Sequence, residues 1–224
     1  MALTQSKFRT TAQLNTAFSR KIIKLLRDGI DENGRASLVV SGGRTPAELF
    51  NTLSQSNLEW DKVDISLADE RWVENTDEAS NEKMLRSELL INNAANANFV
   101  SLKTQHSDAA DAVLTCTANL QKMRTPFDVL ILGMGEDGHT ASLFPCSEQI
   151  AQGLDLESGD TFIAIQPTSA PNQRMSLTLP ALLNSNQIFL HLTGESKKDV
   201  LNTVLSDDDA LVMPIRAVIN NADV

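Results

Sequence analysis

The segment Asp128-Val-Leu-Ile-Leu-Gly-Met-Gly-Glu-Asp-Gly-His-Thr-Ala-Ser-Leu-Phe-Pro145 constrains this chain most. Val129 to Leu132 is a short, continuous apolar run containing β-branched residues. It has the pattern of a strand buried on both faces of a parallel sheet. Gly133, Gly135 and Gly138 then break the run into a turn that leaves room for a ligand against the backbone. Open parallel sheets bind ligands outside the carboxyl ends of their strands. His139 therefore sits where chemistry is expected, and histidine exchanges a proton near neutral pH, which suits a general acid or base. Asp137, two residues earlier, is open to two readings: it orients the imidazole or contacts a ligand, or it bonds its own turn.

The rest of the chain alternates strand and helix patterns. Leu14, Phe18, Ile22, Leu25 and Leu26 recur at helical spacing. Leu38 to Val40 predicts a strand ending at Ser41-Gly42-Gly43, with Pro46 opening a helix through Leu49, Phe50 and Leu53. Val63 to Leu67 predicts a strand ending at Ala68-Asp69-Glu70-Arg71. Ser80 caps a helix from Asn81 to Leu90. Ala109, Ala112, Val113, Cys116, Leu120 and Met123 mark one face of another helix. Further strands are expected near Phe162 to Ile165 and at Ile188 to Leu192, then a helix capped by Ser196. Ile215 to Ile219 reads as a last strand. The alternation predicts an α/β fold, one domain over residues 1–224, with a mainly parallel Rossmann-like sheet and helices on both faces. The stretch from Pro145 to Gly159 is irregular and reads as a rim or lid.

At 224 residues and 42% apolar content the chain has enough material for a core. A net charge of −10 argues against nonspecific binding to nucleic acid or to an anionic membrane. It leaves a local basic pocket possible. Cys116 and Cys146 give neither a disulfide framework nor a metal-ligand cluster. No stretch has the apolar length of a bilayer span, and no leader pattern opens the chain, so a soluble cytoplasmic protein is expected.

Three predicted strand ends carry polar groups that a parallel sheet would bring to one edge. Ser41-Gly42-Gly43-Arg44-Thr45-Pro46 offers free N–H groups and a helix start, which favour an anion such as phosphate, and reads equally as a plain turn. Asp69-Glu70-Arg71 offers a guanidinium fork for phosphate or carboxylate; its plainer reading is a solvated cluster. Arg174 and Lys197 stand isolated and read first as surface charges. His106 and His191 read as structural; Trp60, Trp72, the methionines and the cysteines read as packing residues.

The blocks Ser41 to Pro46, Ala68-Asp-Glu-Arg-Trp-Val73, Ser80-Asn81 and Gly133 to Pro145, with Arg174 to Leu183 and Gly194-Glu-Ser-Lys197, resemble the 6-phosphogluconolactonase family. The resemblance implies a glucosamine-6-phosphate isomerase/6-phosphogluconolactonase-like fold. It also implies hydrolysis of 6-phosphoglucono-1,5-lactone in the oxidative pentose phosphate pathway, with no metal or organic cofactor. His139 would be the base that activates water and Asp137 would support it. Arg71, the Ser41, Gly42, Gly43, Arg44 and Thr45 loop, Arg174 and Lys197 would hold the phosphate or the sugar, with Asp69 and Asn81 nearby. The only partner expected is the small sugar-phosphate lactone, and the chain is expected to be a monomer or a weak homodimer. Cys146 departs from the small residue, often glycine, expected after Phe-Pro, and Met213-Pro-Ile-Arg-Ala217 matches loosely.

Two rival readings remain. A glucosamine-6-phosphate deaminase has its own Asp-Gly-His turn but carries a carboxylate five positions after the histidine, where this chain has Phe144. A non-enzymatic sugar-phosphate sensor normally adds a DNA-binding segment, and no helix-turn-helix or basic stretch precedes the first predicted strand.

Overall fold

Ala68 is the point where one sheet hands the chain to another. Its N–H donates to Val40 O (2.8 Å), and its carbonyl accepts from Leu177 N (2.9 Å). The computed structural model describes residues 3–43 and 45–222. In chain order its elements are α1 (Thr11–Asn33), β1 (Ala36–Val40), α2 (Ala47–Ser54), β2 (Val63–Leu67), β3 (Asp69–Arg71), α3 (Asn81–Glu88), β4 (Asn98–Val100) and α4 (Ala109–Leu120). They continue with β5 (Val129–Leu132), α5 (Ile150–Leu154), β6 (Phe162–Ile165), β7 (Arg174–Leu177), α6 (Leu179–Leu183), β8 (Ile188–Leu190), α7 (Glu195–Val204) and α8 (Ile215–Asn221).

The central sheet runs β4-β2-β1-β5-β8, with every pairing parallel. All residues of β1, β2 and β5 are buried, and all but Asp64, which pairs with Arg35, are apolar or serine. The chain moves from β1 outward to β2 and β4, then returns to place β5 and β8 on the other side of β1. The strand order therefore reverses between β1 and β5, and their carboxyl ends, Ser41 and Gly133, flank the crevice that such a reversal leaves. Helix α1 packs Ile22, Leu26 and Ile30 inward. Thr10 caps its start and Gly34, at φ 77°, ends it.

Several expectations change here. Phe162 to Ile165 is a strand, but not of the parallel sheet: β3, β7 and β6 form a separate antiparallel sheet in the order β3-β7-β6. Ile215 to Ile219 is not a strand but the core of α8. A short apolar run does not distinguish the two states, and Pro214, in helical conformation at the cap (φ −56°), starts a helix here. Ser196 lies inside the first turn of α7, with Gly194 at the cap. The irregular Pro145 to Gly159 stretch contains α5, seated closely enough that a Cβ at Gly153 would stand 2.7 Å from Leu143. Cys116 is buried as expected, whereas Cys146 is exposed. Among the described residues no helix is long and apolar enough to cross a membrane.

The carboxy-terminal segment bears directly on the glycine turn. Ile215 N donates to Gly138 O (2.9 Å). The buried Arg216 donates from Nε to Val204 O (3.0 Å), from Nη2 to Thr203 O (2.9 Å) and from Nη1 to Asp209 O (3.0 Å). It thus satisfies carbonyls at the end of α7. Arg216→Leu should lower the unfolding free energy by about 1–3 kcal/mol, since buried acceptors lose their donors; urea denaturation measures this, and an unchanged midpoint would contradict it.

Candidate active site

The turn after β5 can be this tight because Gly135 and Gly138 carry no side chain. Gly135 N donates to His139 O (2.8 Å), and Gly138 N to Gly135 O (3.2 Å). A Cβ on Gly135 would lie 2.1 Å from His139 Nδ1 and 2.6 Å from Asp137 Oδ1. Gly138 adopts φ 73° with the Met213 side chain where a Cβ would be. His139 Nδ1 meets Asp137 Oδ1 at 2.6 Å, and the same oxygen accepts the His139 backbone N–H at 3.2 Å. Both readings of Asp137 therefore hold at once. A carboxylate only accepts, so Nδ1 carries a hydrogen, and in the neutral ring the lone pair is left on Nε2. Burial pushes the Asp137 carboxyl up, but the His139 ring and N–H outweigh it and leave the carboxyl below its usual value. The Phe144 ring stacks on the imidazole, with centroids 4.1 Å apart at 27°.

The opposite wall is built on β3 and β7. Their antiparallel register sets Arg71 directly across from Arg174, so two guanidiniums share one face. Like charges so placed repel. Arg71 Nη1 donates to Ala79 O (2.6 Å) and Arg174 Nη2 to Pro171 O (3.1 Å). Burial first, then Arg71, lowers the Arg174 pKa. Arg174 is 6% exposed, so its reading as a surface charge is wrong; β7 and the Phe144 ring, 5.8 Å from its Cζ, enclose it.

Beneath this wall Glu70 accepts from Arg71 N, Asn81 N and Glu82 N, each at 2.7 Å, and from Ser80 Oγ at 3.1 Å. Asn81 Nδ2 donates to Asp69 O (2.9 Å). The Asn81 side chain fills the space at Gly42, where a Cβ would fall 2.0 Å from Asn81 Oδ1. Asp69 Oδ2 accepts from Ser142 Oγ (2.6 Å), joining β3 to the segment after His139. Ser80 caps α3 by accepting from Lys83 N (3.1 Å).

These parts enclose a cleft of about 260 Å³. Ser41, Gly42, Gly43 and Thr45 line it from the end of β1, and Asp69, Arg71, Asn81 and Arg174 from the second sheet and α3. His139 and Lys197 complete the set, while Asp137 stands behind His139. Arg44 lies outside the described residues. Ser41 Oγ, Arg174 Nε and both ring nitrogens of His191 are buried without hydrogen-bond partners, and all three residues border the cleft. Burial alone lowers the His191 pKa to about 4, so it is neutral. Its structural reading omitted this position at the cleft. Glu70, Ser142 and Phe144 were also missed as parts of the site. Their neighbours in the motifs were the only signal. Among the described residues no three His, Cys, Asp or Glu side chains group as a metal site.

The family model described as glucosamine-6-phosphate isomerases/6-phosphogluconolactonase matches residues 9–224. The chain is 36% identical to a 6-phosphogluconolactonase of Pseudomonas aeruginosa over 93% of its length and 87% of that protein's. It is also 36% identical to one of Neisseria meningitidis, covering 97% of this chain and 94% of the other. The crystal structure of a 6-phosphogluconolactonase from Shewanella baltica superposes with a TM-score of 0.95 at 44% identity, covering 97% and 93% of the two chains.

Glu70 makes the site's framework pH-dependent. Burial raises its pKa from 4.5 to about 7, against the pull of its backbone donors. The folded chain thus holds this proton more tightly than the unfolded one. That contribution to stability is complete below about pH 4.5 and lost as pH rises through about 7. The stability advantage of wild type over Glu70→Gln should therefore narrow across that window. Thermal melts at several pH values test this, and a widening gap would refute it.

Proposed function

The chain belongs to the glucosamine-6-phosphate isomerase/6-phosphogluconolactonase family, and on that premise we propose that it opens the ring of 6-phosphoglucono-1,5-lactone by histidine-assisted attack of water. The chain is an enzyme that hydrolyses a lactone ester. The observation that carries the reading is the His139–Asp137 pair at one wall of a cleft whose other wall presents Arg71 beside Arg174. The pair suits proton transfer, and the arginines suit a phosphate dianion that relieves their repulsion.

In this mechanism water attacks C1 as its proton passes to His139 Nε2, and the carbonyl electron pair moves onto oxygen. The tetrahedral oxyanion collapses, the bond from C1 to the ring oxygen breaks, and the imidazolium returns its proton to that oxygen. The new carboxylic acid then ionises. Asp137 holds the ring so that Nε2 faces the cleft and stabilises the imidazolium. Phosphate binding on the arginines and Lys197, away from C1, fixes the carbonyl against the base. Gly42, Gly43 and Thr45 contribute backbone N–H groups to the same anion, Ser41 contributes its hydroxyl, and Asp69 and Asn81 contact sugar hydroxyls. These residues supply base and positive charge without a metal or organic cofactor. The reading also places the enzyme in the cytoplasm as a monomer or weak homodimer.

The deaminase reading is weaker. Phe144 lies flat on the imidazole where a relay carboxylate would be needed, and an aromatic ring passes no proton.

The test uses lactone made freshly from glucose 6-phosphate and its dehydrogenase, following ring opening above the spontaneous rate. His139→Asn should lower kcat by about 10²–10⁴-fold. Arg71→Met and Arg174→Met should each raise KM about tenfold or more, as a charge-assisted hydrogen bond is lost. Unchanged turnover in His139→Asn would overturn the mechanism. No acceleration by folded wild type would overturn the substrate.

A further inference from the structure

Lys197 differs from the other cations of the cleft in what holds it. Arg71 and Arg174 are held by the neutral carbonyls of Ala79 and Pro171. Lys197, in the first turn of α7, places Nζ 2.7 Å from Glu136 Oε1. Glu136 belongs to the glycine turn and directly precedes Asp137 in the chain, yet the bonds that fix His139 do not involve it. Its side chain is 65% exposed, against 24% for Lys197.

The geometry points to Glu136 as an affinity-setting residue, whose carboxylate pairs with Lys197 and competes with an anionic ligand group for that ammonium. The inference rests on the cleft being a phosphosugar site. An ammonium is a compact point charge that directs its donors to the nearest anion. A phosphate dianion engaging Lys197 must displace the Glu136 carboxylate or share the lysine with it. Displacement is inexpensive, because a largely exposed carboxylate returns to water and exposed ion pairs contribute only about 0.2–1 kcal/mol. The same exchange run backwards helps product leave.

Calorimetric titration with inorganic phosphate and with 6-phosphogluconate tests this in wild type, Glu136→Gln, Lys197→Met and the double variant. Glu136→Gln should tighten both ligands by about 1.4–5-fold, the range that converts from exposed-pair energies. Lys197→Met should weaken both, and adding Glu136→Gln to it should change nothing. No tightening in Glu136→Gln, in a protein whose wild type binds, overturns the inference and leaves the phosphosugar reading intact. Equal tightening in the Lys197→Met background also overturns it, because Glu136 then acts as a distant charge. Wild type that binds neither ligand overturns the phosphosugar reading, and the inference with it.

Discussion

Glu70 faces no ligand, yet four donors converge on its carboxyl group: the backbone N–H groups of Arg71, Asn81 and Glu82, and the Ser80 hydroxyl. Through them it fixes the backbone of a cleft arginine and the start of α3 at once. From that start Asn81 reaches back to Asp69 O and across to the gap left by Gly42. One buried side chain thus sets the spacing between the end of β1, strand β3 and helix α3. These donors offset part of the cost of burying a carboxyl, and the rest appears as its raised pKa.

The charge pattern follows from the same framework. The chain carries a net −10, yet β3 and β7 set two arginines opposite each other. Left to itself that pair disfavours the fold. The surrounding structure holds it in place by hydrogen-bonding each guanidinium to a backbone carbonyl. An anion bound between them recovers what their repulsion costs. In the proposed reading the site binds through preorganised charge in a half-enclosed cleft, where the attraction is stronger than in open water.

Much of this was legible in the sequence, for reasons specific to each element. The buried parallel strands announce themselves as apolar runs, and Ser80 caps its helix as its chemistry requires. His139 was visible because glycines bracket it. Arg174 entered only through the resemblance, and its burial was not legible, because nothing local shows that β7 pairs with β3 or that Phe144 covers it. Ile215 to Ile219 failed for a related reason. Five residues fit either period; Pro214, directly before them, is a local helix start, and the carbonyls of Thr203 and Val204 that Arg216 satisfies lie far back in the chain. Glu70 was hidden inside a charged triplet that looks solvated until α3 docks on it.

That carboxy-terminal helix bears on the proposed reaction because of where its first residues land. The glycine turn is held from within by Gly135 N on His139 O and by Thr140 Oγ1 on Gly133 O (2.9 Å). From outside, Ile215 N bonds Gly138 O, and Met213 fills the side of Gly138 that any larger residue would need. A strand at this position would point its N–H groups along a ladder instead of toward Gly138. The helix start leaves its first N–H groups free of intrahelical partners, and one of them goes to the turn. A residue proposed as a base needs such support from neighbouring elements. The departure from the expected last strand is therefore what lets the end of the chain brace His139.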